Sequence, residues 1–197
     1  MNDQEKQMTH EESLALIQSM INTARNKVAE DGFQFLLWGV LVIIASLANY
    51  LLVVSGFAGK AGLVWLIMPI VGWPISYIYE KRKAKTAQVE TLADKSAGYV
   101  WIAYGITMFF VIFYAIYIKA SPIPFILLLT GMATFTTGLT LKFRPLVLGG
   151  VIFWLTAIVT FFTDPAIHLL LNAVAIALGY IVPGMLLRRQ AKSNSNV

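Results

Sequence analysis

Two ionisable side chains in the C-terminal third of the sequence have a spacing that could support chemistry. Asp164 and His168 lie four residues apart at the start of an apolar run, so a helix would place them one turn apart. Because histidine titrates near neutral pH, such a pair could sense pH or contact a metal ion. Two ligands make a poor metal site, and no third candidate lies nearby. The alternative interpretation is an Asp164 cap beside an interfacial histidine.

A second candidate site lies on the threonine-rich apolar run at residues 122–141. Gly131, Thr134 and Gly138 recur at helical spacing and share one face of the predicted helix. Such a face could line a pore or a substrate path. It could equally allow close helix packing, because small residues let two backbones approach and threonine can bond its own helix.

No other residues form a pattern that fits a catalytic site. The chain has no cysteine, which excludes disulfides, thiolate metal sites and cysteine nucleophiles. The sequence suggests no histidine partner for any serine and contains no nucleotide-binding glycine loop. Charged residues are absent from the middle of the apolar runs, where they usually mark proton or ion paths. We therefore expect a non-enzymatic protein without a catalytic, cofactor-binding or metal site.

The composition indicates that these residues are positioned by membrane-spanning helices. The 197 residues are 58% hydrophobic and only 13% charged, whereas soluble domains are about 25% charged. Apolar runs of about twenty residues, the length that crosses a bilayer, alternate with short polar clusters. The prediction is an all-α, polytopic membrane protein, with the lipid bilayer as its main partner.

Six spans are predicted, arranged as three helical hairpins because the links within each pair are short. Pro69 and Pro74 predict a kink in the second span. Ser121 and Asp164 are each followed by proline, which predicts a cap at the start of spans four and six. Residues 86–96 are expected to form a short helix before span three. The predicted spans are about 33–54, 62–79, 97–118, 122–141, 146–162 and 166–187.

The distribution of basic residues predicts the orientation. All but two of the 15 Lys and Arg residues, Lys60 and Lys119, fall on one side of the six-span topology. The positive-inside rule then places both termini, and a basic tail at 188–197, in the cytoplasm. It also accounts for the net charge of +5, so we predict no nucleic-acid binding. The most basic segment is the loop that follows span two and begins with Lys81, Arg82 and Lys83.

A polar leader, residues 1–32, precedes the first span and contains a predicted amphipathic helix at about 9–30. Leu14, Ile17 and Ile21 lie on its apolar stripe. Helices that lie on lipid are usually rich in Lys and Arg, whereas this leader carries more acids than bases. Docking on protein is therefore favoured over a lipid surface, although both remain open. Asp31-Gly32 is expected to end this helix.

The leader and first span also resemble a known group of proteins. Residues 12–24 (ESLALIQSMINTA) and 31–39 (DGFQFLLWG) are similar to an uncharacterised family of bacterial six-span inner-membrane proteins. The resemblance covers about a fifth of the chain. It implies a multi-pass protein of the bacterial inner membrane and no particular activity.

Two functional hypotheses follow. The first is a non-enzymatic inner-membrane protein that docks a cytosolic or membrane protein through its cytoplasmic face, with self-association left open. The second is a transport subunit, permease-like or a neutral pore, for an unknown substrate. The docking residues predicted by the first hypothesis are Leu14, Ile17, Ile21, Lys81, Arg82 and Lys83.

Overall fold

The structure of the protein is a computed structural model that describes residues 10–84 and 92–194, with side chains at 32–82 and 95–189. These residues form helices joined by short turns, and the described part contains no β-strand. The helices are α1 (His10–Val54), α2 (Ala58–Ala61), α3 (Leu63–Ala84), α4 (Leu92–Tyr117), α5 (Ile123–Thr140), α6 (Arg144–Phe161), α7 (Pro165–Ile176), a π-helical turn (Ala177–Ile181) and α8 (Val182–Asn194).

Six helical segments in the described part of the chain are long and apolar enough to cross a membrane. This confirms the predicted all-α, multi-pass architecture. The segments are Gly32–Val54, Ala58–Arg82, Lys95–Tyr117, Ile123–Thr140, Arg144–Phe161 and Pro165–Arg189. Helix α3 continues through Pro69 and Pro74. Of the short helix expected at 86–96, residues 92–96 belong to α4, and 85–91 lie outside the described residues.

The break expected at Asp31-Gly32 is wrong. One continuous helix, α1, includes both the leader from His10 and the whole first span. Gly32 is instead a packing position: a Cβ atom there would lie 3.1 Å from Leu187 Cβ and 3.2 Å from the Gly184 carbonyl oxygen. Glycine costs up to about 1 kcal/mol inside a helix, and close contact with α8 compensates for that cost.

The three predicted hairpins are present, since α1 contacts α3, α4 contacts α5, and α6 contacts α7. The most extensive contact, however, is between α5 and α6, which belong to different hairpins. Helix α1 packs along α7, the π-helical turn and α8, so the first and last spans are neighbours. The core lies between α1, α5, α6 and the sixth span.

Large apolar side chains occupy this core. Leu127 from α5 and Leu146 and Phe153 from α6 have no exposed surface. Tyr180, from the π-helical turn, is 5% exposed and contacts the Phe153 ring edge-on, with centroids 5.0 Å apart. Apolar side chains therefore pack closely at the centre of the described bundle.

Helices α3 and α4 lie at the edge of the bundle and expose most of their apolar surface. Helix α3 packs mainly on α1, and α4 packs mainly on α5, with the Trp101 ring of α4 also reaching Phe35 and Tyr180. Trp73 on α3 and Phe109 on α4 are 68% and 67% exposed. In water such surfaces would aggregate, whereas hydrocarbon solvates them, so these faces fit contact with lipid.

Two spans end in left-handed residues that are not glycine. Lys119 after α4 has φ 54° and Lys142 after α5 has φ 52°. The following N–H group folds back in each case: Ala120 donates to Ala115, and Phe143 donates to Gly138. This is the hydrogen bond of a Schellman C-cap, a position where glycine is usual because it has no Cβ atom.

Candidate functional site

Asp164 caps α7, as the sequence predicts. Its Oδ1 atom accepts a hydrogen bond of 2.8 Å from the N–H of Ala166, and Pro165 occupies the first helical turn. The carboxylate therefore satisfies one of the free N–H groups at the helix start. The equivalent cap predicted for span four is wrong, since Pro122 occupies the N-cap of α5 without a side-chain hydrogen bond.

Ser121 has a different partner, which sequence reasoning missed. Its Oγ atom lies 2.9 Å from Nδ1 of His168, and His168 Nε2 lies 3.1 Å from the Thr163 carbonyl oxygen. Because a carbonyl only accepts, Nε2 carries a proton and donates to Thr163. In the neutral ring, Nδ1 then accepts from the Ser121 hydroxyl. The expectation that no serine has a histidine partner is therefore wrong.

A serine hydroxyl bonded to an imidazole is the first element of a nucleophile–base pair. Two observations favour a structural role here. His168 is only 4% exposed, and its second nitrogen binds the chain at a helix junction. The pair joins the α4–α5 connection to the α6–α7 connection, so it tethers two loops at the same end of the bundle. It also buries His168 within the bundle.

Metal binding has no support in the described part of the molecule. Among the residues with described positions, no group of three or more His, Asp or Glu side chains could hold a metal ion. Asp164 is already engaged by Ala166, and both His168 nitrogens have protein partners. Asp164 and His168 therefore have separate roles: Asp164 caps a helix, and His168 connects two loops.

The predicted face of Gly131, Thr134 and Gly138 is buried against neighbouring helices. A Cβ atom on Gly131 would lie 2.5 Å from Cδ1 of Trp154, and one on Gly138 would lie 2.7 Å from the Val147 nitrogen. Both glycines therefore allow α6 to approach α5 closely. The arrangement favours the packing interpretation of this face over the lining interpretation.

Thr134 makes the central polar contact of the bundle. Its Oγ1 atom donates to the Tyr180 hydroxyl at 3.1 Å, and both residues are buried. Aromatic rings surround this hydrogen bond: Phe35 and Trp101 have their centroids 5.4 and 6.4 Å from the Tyr180 ring.

A similar bond of 3.0 Å joins the hydroxyls of Tyr104 on α4 and Thr130 on α5. Each hydroxyl gains a partner where water is absent.

Asn172 makes a buried contact across helices. Its Nδ2 atom donates to Ser46 Oγ at 2.9 Å, which joins α7 to α1, and both side chains are buried. Asn49, also on α1, is only half-buried. Ser46 and Asn49 differ in burial because they lie at different angles around the axis of α1. Ser46 faces α7, and Asn49 lies nearly a turn further along the helix.

Comparison with protein-family models, with curated proteins and with solved structures finds no match to this chain. The family resemblance of residues 12–24 and 31–39 therefore stays a prediction. Functional inference rests on the geometry of the chain itself.

At the other end of the bundle, which we call the basic end, Gln34 connects two helices. Its Nε2 atom donates to Glu80 Oε1 at 2.9 Å, and its Oε1 atom accepts from Ser76 Oγ at 2.9 Å. The neighbouring Phe33 ring stacks on Tyr79 at 4.0 Å. These contacts fix α1 against α3 where α1 leaves the span.

The candidate docking residues lie at or beyond this basic end. Lys81 and Arg82 are exposed, and the Lys81 amino group lies 6.0 Å from the Tyr77 ring centroid. Lys83 is placed by its backbone only, on the last turn of α3. Leu14, Ile17 and Ile21 belong to the part of α1 that precedes the span, and their side chains lie outside the described set.

Proposed function

We propose that this protein is a non-enzymatic protein of the bacterial inner membrane, with both termini in the cytoplasm, that binds a protein partner through its basic end. The observation that supports the proposal is the continuity of α1. Because its leader and its span form one helix, a partner bound to the leader would be connected directly to the transmembrane core.

The length of α1 makes the leader a projecting arm. Its 45 residues correspond to about 68 Å, whereas the span Gly32–Val54 needs about 35 Å of that length. Residues 10–31, which we call the arm, therefore extend about 33 Å beyond the span. The Gln34 hydrogen bonds to Ser76 and Glu80 hold the base of the arm against α3.

The residues of the arm suggest the chemistry of the partner. The spacing of Leu14, Ile17 and Ile21 places three apolar side chains on one face, which is the pattern read by a hydrophobic groove. Lys81 and Arg82 are exposed at the end of α3, so acidic groups beside such a groove would complement them. The proposed partner is a protein with an apolar groove and an acidic rim.

Orientation and location are supported by the sequence. The basic residues at the ends of α3, α5 and α8 follow the positive-inside rule for an inner-membrane protein with cytoplasmic termini. The resemblance of the leader to bacterial six-span proteins agrees with that location. The alternative of a transport subunit gains less support, because Leu127, Leu146 and Phe153 fill the core where a single-chain pore would run.

Affinity purification from native membranes in mild detergent tests this proposal. The wild type is compared with a face variant (Leu14→Gln, Ile17→Gln and Ile21→Gln) and with a variant lacking residues 1–30. We expect a stoichiometric companion protein with the wild type only, while all three chains insert normally. Mass spectrometry identifies the companion, and loss of its acidic rim by mutation should weaken binding.

The matched control changes the opposite face of the arm, with Ser19→Gln, Thr23→Gln and Asn26→Gln. It should retain the companion, because substitutions among polar residues opposite the apolar stripe leave that stripe intact. The proposal is contradicted if the face variant and the control lose the companion equally, or if both retain it unchanged. Failed insertion after deletion of residues 1–30 would also contradict it.

A further inference from the structure

The sixth span changes its helical form midway, at Ala177–Ile181. The Val182 N–H donates to the Ala177 carbonyl, five residues back instead of four, so this turn is π-helical. Pro183 explains the change, because in a regular α-helix its ring would collide with the carbonyl of Gly179. The wider turn avoids that collision and divides the span into α7 and α8.

Helix α7 is held by hydrogen bonds to several parts of the bundle. His168 contacts Ser121 in the α4–α5 connection and the Thr163 carbonyl in the α6–α7 connection. Asn172 donates to Ser46 on α1. The contacts with Ser121 and Ser46 would have to break in a low-dielectric environment if α7 moved, so α7 is the fixed half of the span.

Helix α8 is attached mainly to the part of α1 nearest the arm. A Cβ atom on Gly184 would lie 2.9 Å from Leu36 Cγ, so the two helices are in close contact. The Arg188 guanidinium lies 5.9 Å from the Phe33 ring centroid. These apolar and cation–π contacts would be preserved if α8 and this part of α1 moved together.

The boundary between the fixed and the moving part lies at the same level in α1 and in the sixth span. Gly39 of α1 faces the π-helical turn, where a Cβ atom would lie 2.9 Å from Ile181 Cδ1. At this level the Thr134 hydroxyl donates to Tyr180 at 3.1 Å. That hydrogen bond connects the π-helical turn to α5, which belongs to the closely packed α5–α6 pair.

We propose that the π-helical turn is a hinge about which α8 and the arm-proximal half of α1 tilt as one unit, while α7 and the α5–α6 pair stay fixed. The Thr134–Tyr180 hydrogen bond stabilises the conformation described here. The inference rests on the proposed function at one point, because a partner bound to the arm would supply the force that tilts α8 and the arm-proximal half of α1. The hinge itself needs no partner, so the purified protein can test it.

The cysteine-free sequence allows spin labels to be placed without background. One pair, Leu148→Cys on α6 and Arg189→Cys on α8, reports on the proposed motion. A second pair, Leu51→Cys on α1 and Ile167→Cys on α7, reports on the fixed end, and all four sites are exposed. Distances are measured by double electron–electron resonance in lipid nanodiscs, with Tyr180→Phe as the perturbation.

Tyr180→Phe should raise the population of a second Leu148–Arg189 distance about fivefold, the factor expected for losing one buried hydrogen bond. The Leu51–Ile167 distance should stay single and unchanged, which also verifies folding. Tyr104→Phe is the matched control, because it removes a similar hydroxyl bond between α4 and α5 that does not involve the π-helical turn. The hinge proposal is wrong if Tyr180→Phe shows no second Leu148–Arg189 distance. It is also wrong if Tyr104→Phe populates that second distance equally.

A second variant tests where the bending occurs. Pro183→Ala added to Tyr180→Phe restores the missing N–H and lets a regular α-helix continue. The second distance should then disappear. If it persists, or if the Leu51–Ile167 pair shifts in any variant, the motion has another origin and the hinge proposal is wrong.

Discussion

Nδ1 of His168 lies 2.9 Å from Oγ of Ser121, although 47 residues separate them. The contact joins the start of α7 to the connection between α4 and α5, and the same imidazole binds the Thr163 carbonyl through Nε2. A single buried side chain thus connects three spans at the end of the bundle opposite the basic end. This relationship gives the first of four predictions.

His168→Ala should lower the free energy of unfolding by about 2 kcal/mol, because Ser121 and the Thr163 carbonyl lose a buried partner. Denaturant titration in mild detergent measures the change. The control is His10→Ala, which changes the only other histidine of the chain outside the transmembrane core. If both variants match the wild type, the tether contributes nothing to stability.

Gly149→Ala should destabilise the protein by about 1–3 kcal/mol, the usual cost of overpacking. A Cβ atom at this position would lie 2.5 Å from the Gly179 carbonyl oxygen, so α6 and the π-helical turn would have to separate. Gly105→Ala is the control, since nothing lies within 4 Å of its Cβ position. It should be neutral or stabilising by up to about 1 kcal/mol. Thermal unfolding in detergent distinguishes the two, and equal effects would argue against the close contact.

Thr134→Val should leave the Tyr180 hydroxyl without a partner and destabilise the bundle by about 1–2 kcal/mol. Combined with Tyr180→Phe in a double-mutant cycle, it should give a coupling energy of about 0.6 kcal/mol, the average measured between membrane helices, and at most about 1.7 kcal/mol. Thr137→Val is the control, because Thr137 bonds only the Ala133 carbonyl of its own helix. Coupling near zero for Thr134 would show that the hydrogen bond is not formed.

Lys142→Gly should stabilise the protein by about 1 kcal/mol, because φ 52° is unfavourable for a residue with a Cβ atom. Lys142→Ala removes the same charge but keeps the Cβ atom, so it should give no such gain. The comparison separates backbone conformation from the loss of a basic residue. Equal stability of the two variants in detergent would refute the explanation by backbone conformation.

The candidate site was only partly predictable from the sequence. The Asp164 cap was predictable, because an acidic residue followed by proline depends on a few adjacent residues. The Ser121–His168 contact was not, since it joins residues in different hairpins and the local Ser-Pro pattern indicated a cap instead. The face of Gly131 and Gly138 was recognised, but its α6 neighbours depend on how the hairpins pack.

The sequence alone determined the six spans, the three hairpins and the segregation of basic residues, because the length and polarity of each segment are local properties that the bilayer selects. The tertiary structure decided that α1 continues through Gly32, since only contact with Leu187 and Gly184 gives that glycine a packing role. It also decided which hydroxyls meet, as with Thr134 and Tyr180. Such contacts require complementary surfaces on helices distant in sequence, and hydropathy does not encode them.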